Sequence, residues 1–114
     1  MKMHRLVDSL PWGPHHFAQG VRIKPMITHK EDQLDVTCML VEIPAGVEVP
    51  EHVHETQDDI LYPISGKGVM WIEGEGEFTL EPGLIIRVPE GTRHKITQVT
   101  ESMLIYDVFC PALI

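Results

Sequence analysis

The sequence predicts an all-β fold, a sandwich or barrel of jelly-roll type built as one domain over residues 1–114. Three observations carry that expectation. Short apolar runs recur between turns marked by Gly and Pro, no long window repeats its apolar residues at helical spacing, and a chain of 114 residues is large enough for one core only. The candidate strands are 21–27, 36–43, 59–64, 68–73, 77–80, 84–88, 93–99 and 102–109.

Residues 1–20 are expected to be an extended, surface-lying lead-in, because Pro11, Gly13 and Pro14 disfavour regular structure around His15 and His16. Those two histidines are read as surface residues, with a lid over a pocket as the alternative, and His4 and His29 as ordinary surface positions. The runs 36–43 and 103–109 are almost continuously apolar, so both faces of these strands should be covered. A second subunit is the expected outer cover, making a homodimer, and the apolar tail from Pro111 to Ile114 folded onto its own barrel is the alternative. In 59–64 the alternation of strand side chains sets Asp59, Leu61 and Pro63 on one face and Ile60, Tyr62 and Ile64 on the other, with Tyr62 assigned to packing. Pro63 has no N–H for a ladder, so this strand should lie at an edge or bulge there. Glu73-Gly74-Glu75-Gly76-Glu77 reads as a solvated hairpin tip rather than a calcium loop, and Glu81-Pro82-Gly83 as a second turn. Alternation sets Ile85 and Arg87 on one face without saying which. Inward, the guanidinium would clamp a substrate carboxylate; outward, it is rim charge.

The bulk properties exclude several function classes. A formal net charge of −8 argues against a nucleic-acid partner, which needs a basic surface. No apolar run approaches the ~20 residues of a membrane span and no signal-peptide pattern opens the chain, so no membrane partner and a cytoplasmic location are expected. Cys38 and Cys110, with no Cys-x-x-Cys neighbour, are expected to be free buried thiols.

The chemistry is concentrated in three histidines. His52 and His54 are one residue apart, and in a strand that spacing projects both imidazoles from one side, where His94 can join them around one ion. Asp59 is the expected fourth ligand, with Asp58 and Gln57 as fallbacks. No thiolate takes part, so Fe, Mn, Ni, Zn and Cu are not distinguished as the divalent metal. Counting by twos from His94 brings Ile96 and Gln98 to its face, where Gln98 would orient a ligand, bind a substrate oxygen or satisfy buried backbone.

Two stretches resemble the paired signature motifs of the cupin superfamily. In 46–66 the matching residues are Gly46, His52, His54, Asp59 and Gly66, with Asp59 where the family pattern has Glu. In 83–98 they are Gly83, Pro89, Gly91 and His94, with Gln98 where the pattern has Asn. The resemblance implies a small single-domain cupin, an antiparallel jelly-roll (double-stranded β-helix) barrel holding one divalent metal ion. It further implies a metal-dependent enzyme of dioxygenase, lyase or isomerase type acting on a small oxygen-rich or anionic molecule. The alternative is a non-catalytic sugar- or metabolite-binding module with a structural or ligand-binding metal. Asp59 is one methylene shorter than Glu, so it either reaches the ion or stands behind a water.

Overall fold

A computed structural model describes residues 3–114; Met1 and Lys2, the first residues of the expected lead-in, lie outside the described residues. The strands are β1 (Gly13–Pro14), β2 (Arg22–Ile27), β3 (Thr37–Ile43), β4 (Val49–His52), β5 (Asp58–Ile72), β6 (Gly76–Leu80), β7 (Ile86–Val88) and β8 (His94–Cys110). All pairs are antiparallel, in the order β1-β2-β3-β8-β5-β6, with β4 also on β8 and β7 also on β5. The fold is an all-β jelly-roll whose two long strands, β5 and β8, pair along nearly their whole lengths and join its parts.

Four candidate strands fuse into those two. Residues 59–64 and 68–73 form one strand, as do 93–99 and 102–109, because the breaks between them are bulges rather than turns. β5 packs tightly against the backbone of β8 at Gly66. Its φ is +94°, and a Cβ there would lie 2.3 Å from the Ser102 carbonyl oxygen and 2.6 Å from Met103 Cα, so only glycine fits. Pro63 is buried opposite Ile105, just before a register shift, as its missing N–H requires. The hairpin tip forms as expected, with Ile72 opposite Gly76 and Glu75 N donating to Ile72 O at 3.0 Å.

The inner face holds the core. Met39, Val41 and Ile43 from β3 meet Leu61 and Met70 from β5, Val88 from β7, and Met103, Ile105 and Phe109 from β8. Each such side chain contributes about 1.5–3 kcal/mol on burial. Within this chain the near-continuous apolar runs have one buried face: β3 alternates buried with half-buried residues, its outer Cys38 and Leu40 only partly covered. The tail does not cover that outer side: it meets Thr37, which shares the buried face of β3 with Met39, Val41 and Ile43. Leu113 and Ile114 pack against the core, and Thr37 Oγ1 accepts from both of their N–H groups at 2.9 and 3.0 Å while donating to Ile114 O at 2.8 Å.

Three elements lack a strong sequence pattern. β1 has two residues, β4 carries Pro50, and α1 (His29–Asp32) is a single turn that Thr28 caps by accepting from Glu31 N at 3.0 Å. Both cysteines are free, but Cys110 is exposed and Cys38 half-buried, so neither is the buried thiol expected. Among the described residues no helix is long and apolar enough to cross a membrane.

Candidate metal centre

The site forms where β4 meets the start of β8. His52, the last residue of β4, lies directly opposite His94, the first residue of β8, and their ring centroids are 4.1 Å apart. A regular strand would put Val49 and His52 on opposite faces, since they are three residues apart. An irregularity between them, at Pro50 and Glu51, turns both toward the interior. His54 lies past the end of β4, so strand alternation does not place it. Its carbonyl accepts from Gly91 N at 2.8 Å, a bond that ties the two motif segments together at a glycine with φ of +74°.

Backbone carbonyls set the rings. His52 Nδ1 lies 2.8 Å from Pro50 O, and His94 Nδ1 lies 3.0 Å from Thr92 O. Each carbonyl takes the Nδ1 proton and leaves the Nε2 lone pair free, as in metal-ligating histidines. One nitrogen from each of His52, His54 and His94 falls within 4.8 Å of the other two, a group that could hold a metal ion. Asp59 Oδ2 lies 3.5 Å from His94 Nε2 and 3.8 Å from His54 Nε2. Ligands ~2.1 Å from a shared ion stand about 3.0–3.4 Å apart, so the shorter carboxylate is already near the spacing of a neighbouring ligand.

Electrostatics favour a cation. Burial, opposed by the bond to Pro50 and reinforced by the other two rings, pushes His52 down to about 4, and burial also lowers His54. Both are therefore neutral at neutral pH, the form that ligates. Asp107, at the same cavity, is a functional candidate that strand counting passed over. Its signal was an acid inside the apolar run 103–109, two residues from inward Ile105 and Phe109. Burial and the adjacent Asp59 raise Asp107 well above the carboxylate range. Burial works against the charge of Asp59 too, but the protonated Asp107 beside it and the nearby His94 and His54 rings hold its pKa below the usual value. Asp107 thus keeps the proton of the pair. Three buried atoms here, Asp59 Oδ1, Asp107 Oδ1 and His94 Nε2, have no hydrogen-bond partner among the described residues. Unsatisfied groups of this kind cost about 1–3 kcal/mol each, and nitrogen and carboxylate donors in this arrangement fit a divalent cation.

Other expected residues are elsewhere. Gln98 is exposed rather than inward, because it adopts a left-handed φ of 50° in the bulged part of β8, and Val99 takes the buried place. Asp58 faces out, accepting from Arg87 Nε at 2.9 Å and Glu90 N at 3.0 Å, which resolves Arg87 as rim charge. Gln57 Nε2 is turned to Ala112 O at 3.5 Å. Tyr62 does face outward, but at 49% exposure it packs into no core. His15 and His16 are more than surface residues: with Phe17 they line a cavity of about 60 Å³ that His52, His54, His94, Asp59 and Asp107 share.

The family model described as "Cupin domain" matches residues 39–109. Acireductone dioxygenase of Bacillus cereus is 47% identical over 51 residues, which cover 41% of this chain and 29% of that protein. The match therefore spans less than a third of the relative's length. Among solved structures, KdgF from Halomonas sp. aligns with a TM-score of 0.79 and 25% identity over 93% of this chain and 92% of that one. A predicted oxalate decarboxylase from Thermotoga maritima aligns with a TM-score of 0.82 and 17% identity over 96% of this chain and 99% of that one, a likeness of fold.

Proposed function

The chain belongs to the cupin domain family, and from that membership and its converging imidazoles we propose a metal-dependent enzyme of dioxygenase, lyase or isomerase type. Its substrate is a small oxygen-rich or anionic molecule. The carrying observation is His94, 2% exposed, with Nδ1 fixed by Thr92 and Nε2 unpaired beside a buried carboxylate and two neutral imidazoles. In this reading one divalent ion per chain is held by His52, His54, His94 and Asp59, with Fe, Mn, Ni, Zn and Cu all compatible with the donor set. When bound, the ion would supply Lewis-acid polarisation of a substrate oxygen.

The chain's own groups do the rest. Asp59 supplies negative charge, and Asp107 holds a proton at the cavity wall where substrate can take it. Ile23, Val41, Ile96 and Phe109 line the cavity and keep bulk water out. Its volume of about 60 Å³ is far below the ~300 Å³ at which drug-sized pockets begin, which favours a substrate of few heavy atoms. Similarity to an acireductone dioxygenase supports the dioxygenase type without extending to that enzyme's substrate. A homodimer also belongs to this reading: Tyr62 and Ile64 are exposed on the outer face, beside half-buried Ile60, Leu104, Tyr106 and Val108.

The test is elemental analysis of untagged protein purified without added metal, followed by turnover assays of small carboxylates, sugar acids and enediols with that metal. Turnover abolished by His52→Ala in a folded protein is the expected result. Saturable binding without turnover, unchanged by metal removal, would replace the enzyme with a binding module.

A further inference from the structure

The lead-in brings a fourth imidazole to the cavity in a defined protonation state. His15 Nδ1 accepts from Phe17 N at 3.3 Å and Ala18 N at 3.0 Å. A ring nitrogen that accepts carries no proton, so in the neutral imidazole the proton sits on Nε2. Burial, then the nearby His16 and His54, lower the pKa of His15 and keep it neutral. The ring lines the cavity with the three-histidine group yet is not one of its members. A protonated Nε2 cannot ligate a metal. It can only donate.

Neighbouring contacts hold this donor in place. His15 N donates to Val21 O at 3.0 Å, directly after the β1–β2 pairing of Pro14 with Arg22. Phe17 stands edge-on to His15 at 4.5 Å and tilts against His52 at 4.9 Å, which links the segment to the metal centre. Farther back, Lys24 Nζ donates to Val7 O at 2.8 Å, and Arg5 pairs with Asp32 at 2.7 Å.

We propose that His15 is a ligand-binding residue whose Nε2–H donates to an acceptor oxygen of the molecule held at the three-histidine centre. The ligand class follows from the two demands: a small carboxylate or enolate with one oxygen for the cation and another for His15. The inference rests on the metal reading above.

The experiment uses the full chain loaded with Co(II) and titrated with oxalate, followed by visible absorption, with cobalt content measured again afterwards. His15→Asn is the decisive variant, because its Oδ1 can still accept from the Phe17 and Ala18 N–H groups while its shorter amide NH2 does not reach the place from which Nε2–H donates. Hydrogen bonds to charged groups imply that His15→Asn and His15→Ala both weaken oxalate binding roughly tenfold or more, with cobalt uptake unchanged. Long-range ¹⁵N correlation spectra should show His15 protonated at Nε2. Oxalate binding as tight in His15→Asn as in wild type means the ring only props the segment, and the inference falls. It falls equally if the proton is on Nδ1, or if the cobalt protein binds no oxalate. A wild type that takes up no cobalt overturns the metal reading and this inference with it.

Discussion

Replacing His94 with alanine should uncouple thermal stability from divalent cations. A cation that binds only the folded chain stabilises it by about 2.7 kcal/mol at a free concentration one hundred times Kd. Unfolding entropy is about 2.1 cal/mol/K per residue, so for 114 residues that stabilisation raises Tm by roughly 11 °C. His94 is fully buried and its Nε2 has no hydrogen-bond partner among the described residues. The alanine variant therefore loses the ligand and gains a hole, and large-to-small changes of this size cost about 2–5 kcal/mol. Without metal the variant should melt roughly 10–20 °C below the wild type, and added Zn(II) or Mn(II) should leave its Tm unmoved. The assay is scanning calorimetry of chelator-treated, dialysed protein, with one equivalent of metal per chain expected at saturation of the wild type. His29→Ala, at an exposed histidine outside the three-histidine group, should keep the full metal response. If a His52/His54/His94 triple alanine variant shows the wild-type shift, the cation binds elsewhere and the assignment of these ligands is wrong.

Acidification acts through two groups of opposite sign. His52 is held at about 4 against an ordinary 6.5, so the unfolded chain takes the proton first, and this contribution to stability is lost as pH falls from about 6.5 toward 4. Asp107 is raised in the folded protein, so its contribution grows as pH falls toward the ordinary carboxyl range. In urea melts of metal-free protein between pH 7 and 4.5, His52→Ala should lose less stability on acidification than wild type and Asp107→Asn more; parallel curves would refute both assignments. Because His52 is held at about 4 and burial lowers His54 below the ordinary imidazole value, neither ring should weaken metal uptake as early as an ordinary imidazole would, and calorimetric titrations at pH 7 and pH 6 check this. Gly66→Ala should cost more than 3 kcal/mol, since positive φ alone costs about 1–3 and the new Cβ meets backbone at 2.3 Å. Gly74→Ala, at φ of +85° with nothing within 4 Å, should stay within the strain range, and equal losses in urea unfolding would show that the Gly66 contact relaxes. Sedimentation at micromolar concentration should give a dimer that Tyr62→Glu disrupts; a wild-type monomer would remove the outer face as an interface.

What the sequence made legible follows from what strand chemistry repeats. Period-two alternation correctly separated Leu61 and Pro63 from Tyr62 and Ile64, because one face of β5 is buried along that stretch. The two motif segments brought His52, His54, His94 and Asp59 to one cavity. Counting by twos failed at Gln98, where a left-handed residue resets the faces of β8. Asp107 was hidden for a different reason: a lone acid in an apolar run announces a buried partner, but its partner, Asp59, lies 48 residues away in sequence. His15 was legible only as the alternative of a lid over a pocket, because its position comes from two backbone N–H groups of its own loop, which no side-chain pattern displays.

The misplacement of Gln98 and the break in β4 have a common cause. A barrel of 114 residues must bend its strands sharply, and bulges are the means by which a paired strand bends. The bends fall beside the chemistry. Without the irregularity at Pro50, Val49 and His52 could not both face inward, and the Pro50 carbonyl that the bend turns toward the ring is the one that fixes His52 Nδ1. The same residue thus re-aims the ligand and sets its tautomer. Proline suits that place because it has no N–H to lose where the β4–β8 ladder is interrupted. The H-x-H spacing is therefore a consequence of a broken strand as much as of a regular one: His52 belongs to the ladder, His54 to the loop beyond it, and the bond from Gly91 to the His54 carbonyl holds the second imidazole where alternation no longer reaches.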